Sequence, residues 1–400
     1  MTVEADIPRQ SLGALFLRFL RFGFLAWGGP VAQIAMIKRE LVEEERWITP
    51  ERFNRVYAVY QMLPGPEAHE LCVYFGTLSR GRLGGVLAGL GFMLPGFVLM
   101  LLLSWVYVRY GITSPAFAAV FEGVQAAVLA LIVRAVHRIG SHALNDRFLW
   151  AITIVAGAAT LAGVHFAIVL LLSGLGYEML VRKSWALAGL VALLVGVFAL
   201  VAEGGPSTEI VDSTAARSTS PAPPGLAALF GSGLRSGLLT FGGAYTVIPF
   251  LLNDSVEVGG WITREQFLDG VALGGILPAP LIIFATFVGY LAGGLLGALA
   301  LTAGIFLPAF GFTMVGHEYL ERVTHHPALQ QFLAGLTAGV VGLIAATTVG
   351  LAPDCIRGVE SGVIFAVGLF LLYRLRAKWA VAAVIALAGL AGFFLFGVFK

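Results

Sequence analysis

The chain repeats itself. The stretch Phe22-Gly-Phe-Leu-Ala-Trp-Gly-Gly-Pro30 returns 214 positions later, in altered form, as Leu238-Leu-Thr-Phe-Gly-Gly-Ala-Tyr245. At that offset Arg21 falls on Arg235, Gly28-Gly29 on Gly242-Gly243, Trp47-Ile-Thr on Trp261-Ile-Thr, Phe53 on Phe267, and Pro64 and Pro66 on Pro278 and Pro280. After small slips the match runs on through Gly76/Gly289, Leu94-Pro95/Leu307-Pro308 and Gly123/Gly335. One fold unit is written twice, so any fold must hold two copies of it.

The copies are too apolar for a water-soluble core. Of 400 residues 58% are hydrophobic and 12% charged, and mean hydropathy is +0.89. Such a chain belongs in a bilayer. The apolar runs are long and lack the ten-residue alternation of a membrane barrel, so the spans are helical. The 51 glycines suit close helix contact in lipid. A net charge of +2, with basic residues at span ends, argues against nucleic acid. Cys72 and Cys355 lie in different halves and suggest neither a disulfide framework nor a metal site. Met1 to Gln10 reads without a cleavable leader.

Within each copy the first two helices are interrupted. Residues 12–27 are apolar until Gly28-Gly29-Pro30, and 31–41 continue; 52–62 are broken by Pro64-Gly65-Pro66 before 67–78. No piece is a comfortable span of roughly 20 residues. Apolar spans follow at about 84–106, 116–133, 148–162, 166–181 and 186–202. The second copy has broken helices at 226–258 and 264–291, then spans at about 295–315, 328–350, 358–373 and 379–398. This divides the chain into a first repeat, 1–202, a flexible external linker, 203–225, and a second repeat, 226–400.

Loop charge predicts that the copies are inserted upside down relative to one another. Lys38, Arg39, Arg46, Arg52 and Arg55 answer to a second-copy stretch that keeps only Arg264, Arg80 and Arg82 align with Gly293 and Leu295, and Arg134, Arg138 and Arg147 face a stretch holding only Arg357. Since basic loops stay cytoplasmic, the first copy starts inside and the second outside. That requires five crossings in the first half, with both broken helices re-entrant. Arg182-Lys183 and the Arg374 to Lys378 turn then fall inside. Asp269, opposite Arg55, reads as an outer-face marker, and Trp47 and Trp261 as interfacial anchors beside the caps Thr49 and Thr263.

A helix broken in hydrocarbon leaves backbone groups that cost several kcal/mol each unless something satisfies them. Breaks at four related places point to a site. A proline after each first-copy break suits the first turn of the next half-helix, whose free N–H groups and partial positive charge would face an anion. Glycines at 28, 29, 65, 242 and 243 let a ligand reach the backbone. Gln61 can add an amide donor where the second copy has Gly275. Packing kinks alone would not place two breaks in each half. Arg21 and Arg235 are a basic pair kept by the repeat: they either flank an oxyanion or snorkel to the interface. Glu67, His69 and Glu70, absent from the second copy, either couple transport to protons or serve packing and the helix terminus.

These elements, Gly28-Gly29-Pro30, Trp47-Ile-Thr with Phe53, Gln61-Met-Leu-Pro-Gly-Pro66, Tyr74-Phe-Gly76 and Leu94-Pro95-Gly96, resemble the chromate ion transporter family, long-chain two-domain type. So do Phe241-Gly-Gly243, Pro278-Ala-Pro280, Phe287-Val-Gly289 and Phe306-Leu-Pro308 in the second half. The resemblance implies an all-α polytopic inner-membrane protein: an inverted-topology repeat with two re-entrant hairpins and full transmembrane helices per half. It implies a secondary transporter exporting chromate and giving chromate resistance; sulfate or another oxyanion is the alternative substrate. The expected binding set is Arg21, Gly28, Gly29, Pro30, Gln61, Pro64, Gly65, Pro66, Arg235, Gly242, Gly243, Pro278, Ala279 and Pro280. Ala279 departs from the family by putting a methyl at that tip. The partners are chromate, sulfate as competitor, the bilayer and, as an open alternative, a second copy of the chain. The pattern offers no cofactor motif, no Walker loop and no nucleophile-base pair, and reads as no enzyme.

Overall fold

In the computed structural model residues 7–111, 115–181, 224–324, 326–375, 377 and 379–397 are described. The first copy comprises α1 (Leu12–Phe24), α2 (Gly29–Ile37), α3 (Pro50–Met62), α4 (Glu67–Val106), α5 (Pro115–Ala143), α6 (Arg147–Leu161) and α7 (Phe166–Val181). The second comprises α8 (Leu226–Leu238), α9 (Val247–Leu252), α10 (Arg264–Ile276), α11 (Phe284–Thr324), α12 (Pro327–Cys355), α13 (Val359–Arg374) and α14 (Ala380–Gly392). Among the described residues five helices are long and apolar enough to cross a membrane, within 67–110, 117–143, 281–314, 327–355 and 380–397. The expected span at 186–202 and the linker up to residue 223 lie outside the described residues.

Both broken helices of each copy fold back as hairpins. Arg18 of α1 reaches Glu45 at 2.5 Å and Arg21 pairs with Glu40, so residues on either side of the break at Gly28 come together. Across the next break Phe53 stacks near Phe75, with ring centroids 6.5 Å apart, and Tyr60 meets Tyr74 edge-on at 6.2 Å. In the second copy Arg235 pairs with Asp254, and Phe267 meets Phe284 at 5.4 Å. Glu40 and Asp254 stand at the repeat offset, each on a π-helical stretch, Lys38–Glu44 and Asn253–Val258. The wider turn is thus duplicated with the ion pair it carries.

The long helices α4 and α11 each contain a reversal. Arg80-Gly81 breaks α4, with Gly81 at φ 63°, and Gly293-Gly294 breaks α11, with Gly294 at φ 62°. Glycine takes that backbone region without the penalty a side chain brings. Beyond the reversal the two arms lie against each other: a Cβ on Gly76 would stand 2.5 Å from the Ala88 Cβ, and one on Gly289 would stand 2.9 Å from the Ala298 Cα. The second arms carry Pro95 and Pro308, and α1 and α8 pack on them through Gly23 and Gly237. Small residues permit this approach, which drives helix association in lipid.

Three sequence expectations change. Helix α5 does not stop near residue 133 but continues to Ala143, carrying Arg134, Arg138 and His142 on the helix instead of in a loop. Trp47 is no interfacial anchor: it is 1% exposed, donates to Glu45 Oε2 at 2.8 Å and lies under the Arg18 guanidinium. Asp269 is not a surface marker but is 4% exposed, accepting from Tyr107 Oη at 2.7 Å and Gln125 Nε2 at 2.8 Å. Both donors belong to the first copy, so this carboxyl ties the halves together.

The caps stand where expected. Thr49 Oγ1 accepts from the Arg52 amide at 3.2 Å, and Thr263 forms a reciprocal capping box with Gln266. Replacing Thr263 by Ala should cost about 1 kcal/mol, the usual worth of a threonine cap, read as a lower melting temperature of the detergent-purified protein.

Candidate functional site at the hairpin tips

The four breaks converge. Gly65 at the tip of the α3–α4 hairpin donates its amide to Thr240 O at 2.9 Å, and Pro64 pairs in antiparallel fashion with Phe241 at the tip of the α8–α9 hairpin. Beside this junction lies a cavity of about 500 Å³. All four tips wall it: Gly28, Gly29 and Pro30 from the first, Gln61 and Met62 from the second, Gly242 and Gly243 from the third, Leu277 and Ala279 from the fourth. Gly28, Gly29, Gly242 and Gly243 have φ of 91°, 75°, 80° and 116°, a region that side chains rarely enter. Since α2 begins at Gly29, its first amides have no partner within the helix and are available at the cavity wall.

The remaining expected residues divide. Pro64, Gly65, Pro66, Pro278 and Pro280 shape the tips without lining the cavity. Ala279 is 5% exposed, and its methyl fills the space a side chain at Gly96 would need, so the departure from glycine serves contact between the halves. Glu67 lines the cavity at 8% exposure. His69 and Glu70 lie behind it, wholly buried, the His69 ring between Phe306 and Phe310 at 5.0 and 4.7 Å. The carboxyl oxygens of Glu70 meet no hydrogen-bond partner among the described residues.

The structure does not place Arg21 or Arg235 at the cavity; each is held by its own hairpin's carboxylate, Glu40 or Asp254. The cations on the wall are instead Arg134 and Arg138 of α5, with His142 one turn further. They follow one another at four-residue steps and therefore share a helix face. That spacing is present in the sequence. Hydropathy hides it, because it falls at Arg134 and so signals a helix end there.

The chain matches the family profile described as Chromate transporter over residues 13–179 and again over 227–393. It belongs to the chromate transporter family. Family membership makes it a membrane transporter rather than an enzyme, in keeping with the apolar helices. It is 55% identical to the chromate transport protein of Pseudomonas aeruginosa, over 99% of this chain and 95% of that one. Identity is 32% to the chromate transport protein of Cupriavidus metallidurans, over 96% and 93% of the two chains. It is 30% to the probable chromate transport protein of Synechococcus elongatus, over 96% of each. No solved structure matches.

Proposed function

We infer that this protein is a secondary transporter that exports chromate across the cytoplasmic membrane and thereby confers chromate resistance. The observation that carries the reading is that all four hairpin tips wall one cavity. A tetrahedral dianion needs donors from several directions, and tips of duplicated hairpins provide them where no one helix could. The names of the relatives supply the substrate. Sulfate, with the same charge and nearly the same shape, is the competing substrate.

The cavity's location favours loading from the cytoplasm. Of its exposed residues, Trp27, Val31 and Gln61 stand at the first-copy tips, and His142 and Asn145 at the C-terminal end of α5, the end that loop charge assigns to the inside. A dianion leaving a cell held at about 100 mV, negative inside, gains roughly 4.6 kcal/mol from the potential alone. Export therefore needs no nucleotide.

Everted vesicles test this directly. Radiolabelled chromate should accumulate in vesicles containing the protein when the lumen is positive, and less when the potential is collapsed or sulfate is added. No uptake above protein-free vesicles, with or without a potential, would sink the proposal.

A further inference from the structure

We propose that Arg134 and Arg138 are the residues that take the charge of the transported oxyanion, the fixed counterpart of the backbone amides at the hairpin tips. The inference rests on the export reading and deepens it by naming the specificity-determining side chains.

Both arginines line the cavity, partly buried, on a helix otherwise apolar from Val124 to Val133 apart from Gln125. Neither has an acidic partner within ion-pair distance among the described residues, unlike Arg21, Arg235 and Arg264, which all do. Two guanidiniums one turn apart, partly buried and with no carboxylate in ion-pair contact among the described residues, leave a cationic space of the size of a small anion, which Glu67 borders from the hairpin side. Arg138 lies within electrostatic reach of Glu67, Tyr57 and Tyr245, and Arg134 of Tyr245, so their charge is directed across the cavity at the tips.

Comparison of the two copies separates scaffold from site. The arginine and carboxylate of each hairpin's ion pair recur at the repeat offset and hold that hairpin. At the offset relating Gly123 to Gly335, the positions of Arg134 and Arg138 are Ala346 and Gly350, and Glu67 answers to Leu281. The arginine–carboxylate pair kept by both copies holds the hairpins, whereas the charged residues that line the cavity, Glu67, Arg134 and Arg138, are found in one copy alone. The seat is therefore asymmetric: α5 provides the guanidiniums and the hairpins the amides.

The ligand class is a tetrahedral oxyanion of charge two, and chromate and sulfate are the probes. Equilibrium dialysis of the purified full chain should show binding of each, with Arg134→Gln and Arg138→Gln each weakening it about 10- to 100-fold, the worth of one charge-assisted hydrogen bond. Arg138→Lys should recover some of the loss, because it restores charge without the fork. Arg147→Gln, outside the cavity, should bind as wild type. A variant that fails to fold is bypassed on the wild type itself: bound chromate should shield Arg134 and Arg138 from phenylglyoxal, read by mass spectrometry, while Arg147 reacts equally with and without it. Wild-type binding with both Gln variants unaffected, or with no shielding, would overturn the arginine assignment and leave export standing. Binding of neither anion by the wild type, with no uptake in vesicles, would remove both readings.

Discussion

Arg235→Gln should destabilise the protein markedly while leaving chromate affinity within about twofold of wild type. Its partner Asp254 is almost wholly buried, with 2% of its side chain exposed, and after the substitution it would keep, among the described residues, only Ser232 at 2.7 Å and the longer Asn253 contact. Stripping the partner from a buried carboxylate costs about 3–5 kcal/mol when both groups are enclosed. Arg235 is itself half exposed, so about 2 kcal/mol is the expected figure here. Adding Asp254→Asn should return at least half of it, since the orphaned charge is then gone. The matching change Arg21→Gln should cost under about 1 kcal/mol, because Glu40 is less buried and Arg18 stands 3.8 Å away as a second cation. Thermal melting of the four proteins decides the matter; a large loss of affinity in Arg235→Gln without a loss of stability would return that residue to the binding site.

Gly289→Leu should prevent the second long helix from folding back on itself. A Cβ there would lie 2.9 Å from the Ala298 Cα and against the Gly297 backbone, so no rotamer change relieves it and the arms must separate. Overpacking of this kind costs about 1–3 kcal/mol, and more where backbone opposes backbone. The expected result is loss of the monodisperse peak in size-exclusion chromatography. Gly311→Ala is the contrast, since a Cβ at Gly311 meets nothing within 4 Å; it should leave stability unchanged or raise it by about 0.5–1 kcal/mol through helix propensity. If Gly289→Leu purified and melted like wild type, the hairpin contact between the arms of α11 would be wrong.

The hairpins are legible in the sequence because a Gly-Gly or Pro-x-Pro interruption inside an apolar run has few physical outcomes, and its recurrence at one offset removes coincidence. The same logic identifies the four tips that wall the cavity. For the arginines, identity between the copies does not mark the ones that line the cavity, and for a physical reason. Identity between copies marks Arg21 and Arg235, yet what duplication preserves is the hairpin and the ion pair that closes it. Glu40 and Asp254 hold corresponding positions but differ by one methylene, in a segment where the copies mostly disagree in charge, so the pairing is hidden. Arg134 and Arg138 resemble loop charges because hydropathy registers where a helix meets lipid, whereas a cavity inside the protein allows the helix to continue through charged residues. Asp269 illustrates the same blindness: only the folded chain reveals that Tyr107 and Gln125, far off in sequence, enclose it.

The Asp269 junction sits beyond one end of the cavity. Gln125 is six residues before Leu131, the first cavity residue of α5, which places it about 9 Å along the helix axis from the pocket, on the side away from Arg134 and Arg138. An opening at that end that parts Asp269 from Gln125 and Tyr107 would break both hydrogen bonds, which come from uncharged donors and are worth roughly 1–3 kcal/mol apiece. A latch built this way does not weaken as counterions accumulate, in contrast to one made of opposed charges. The frequency with which it springs open should thus be nearly the same in dilute and in briny media, while capture of the solute at the cationic mouth becomes steadily poorer.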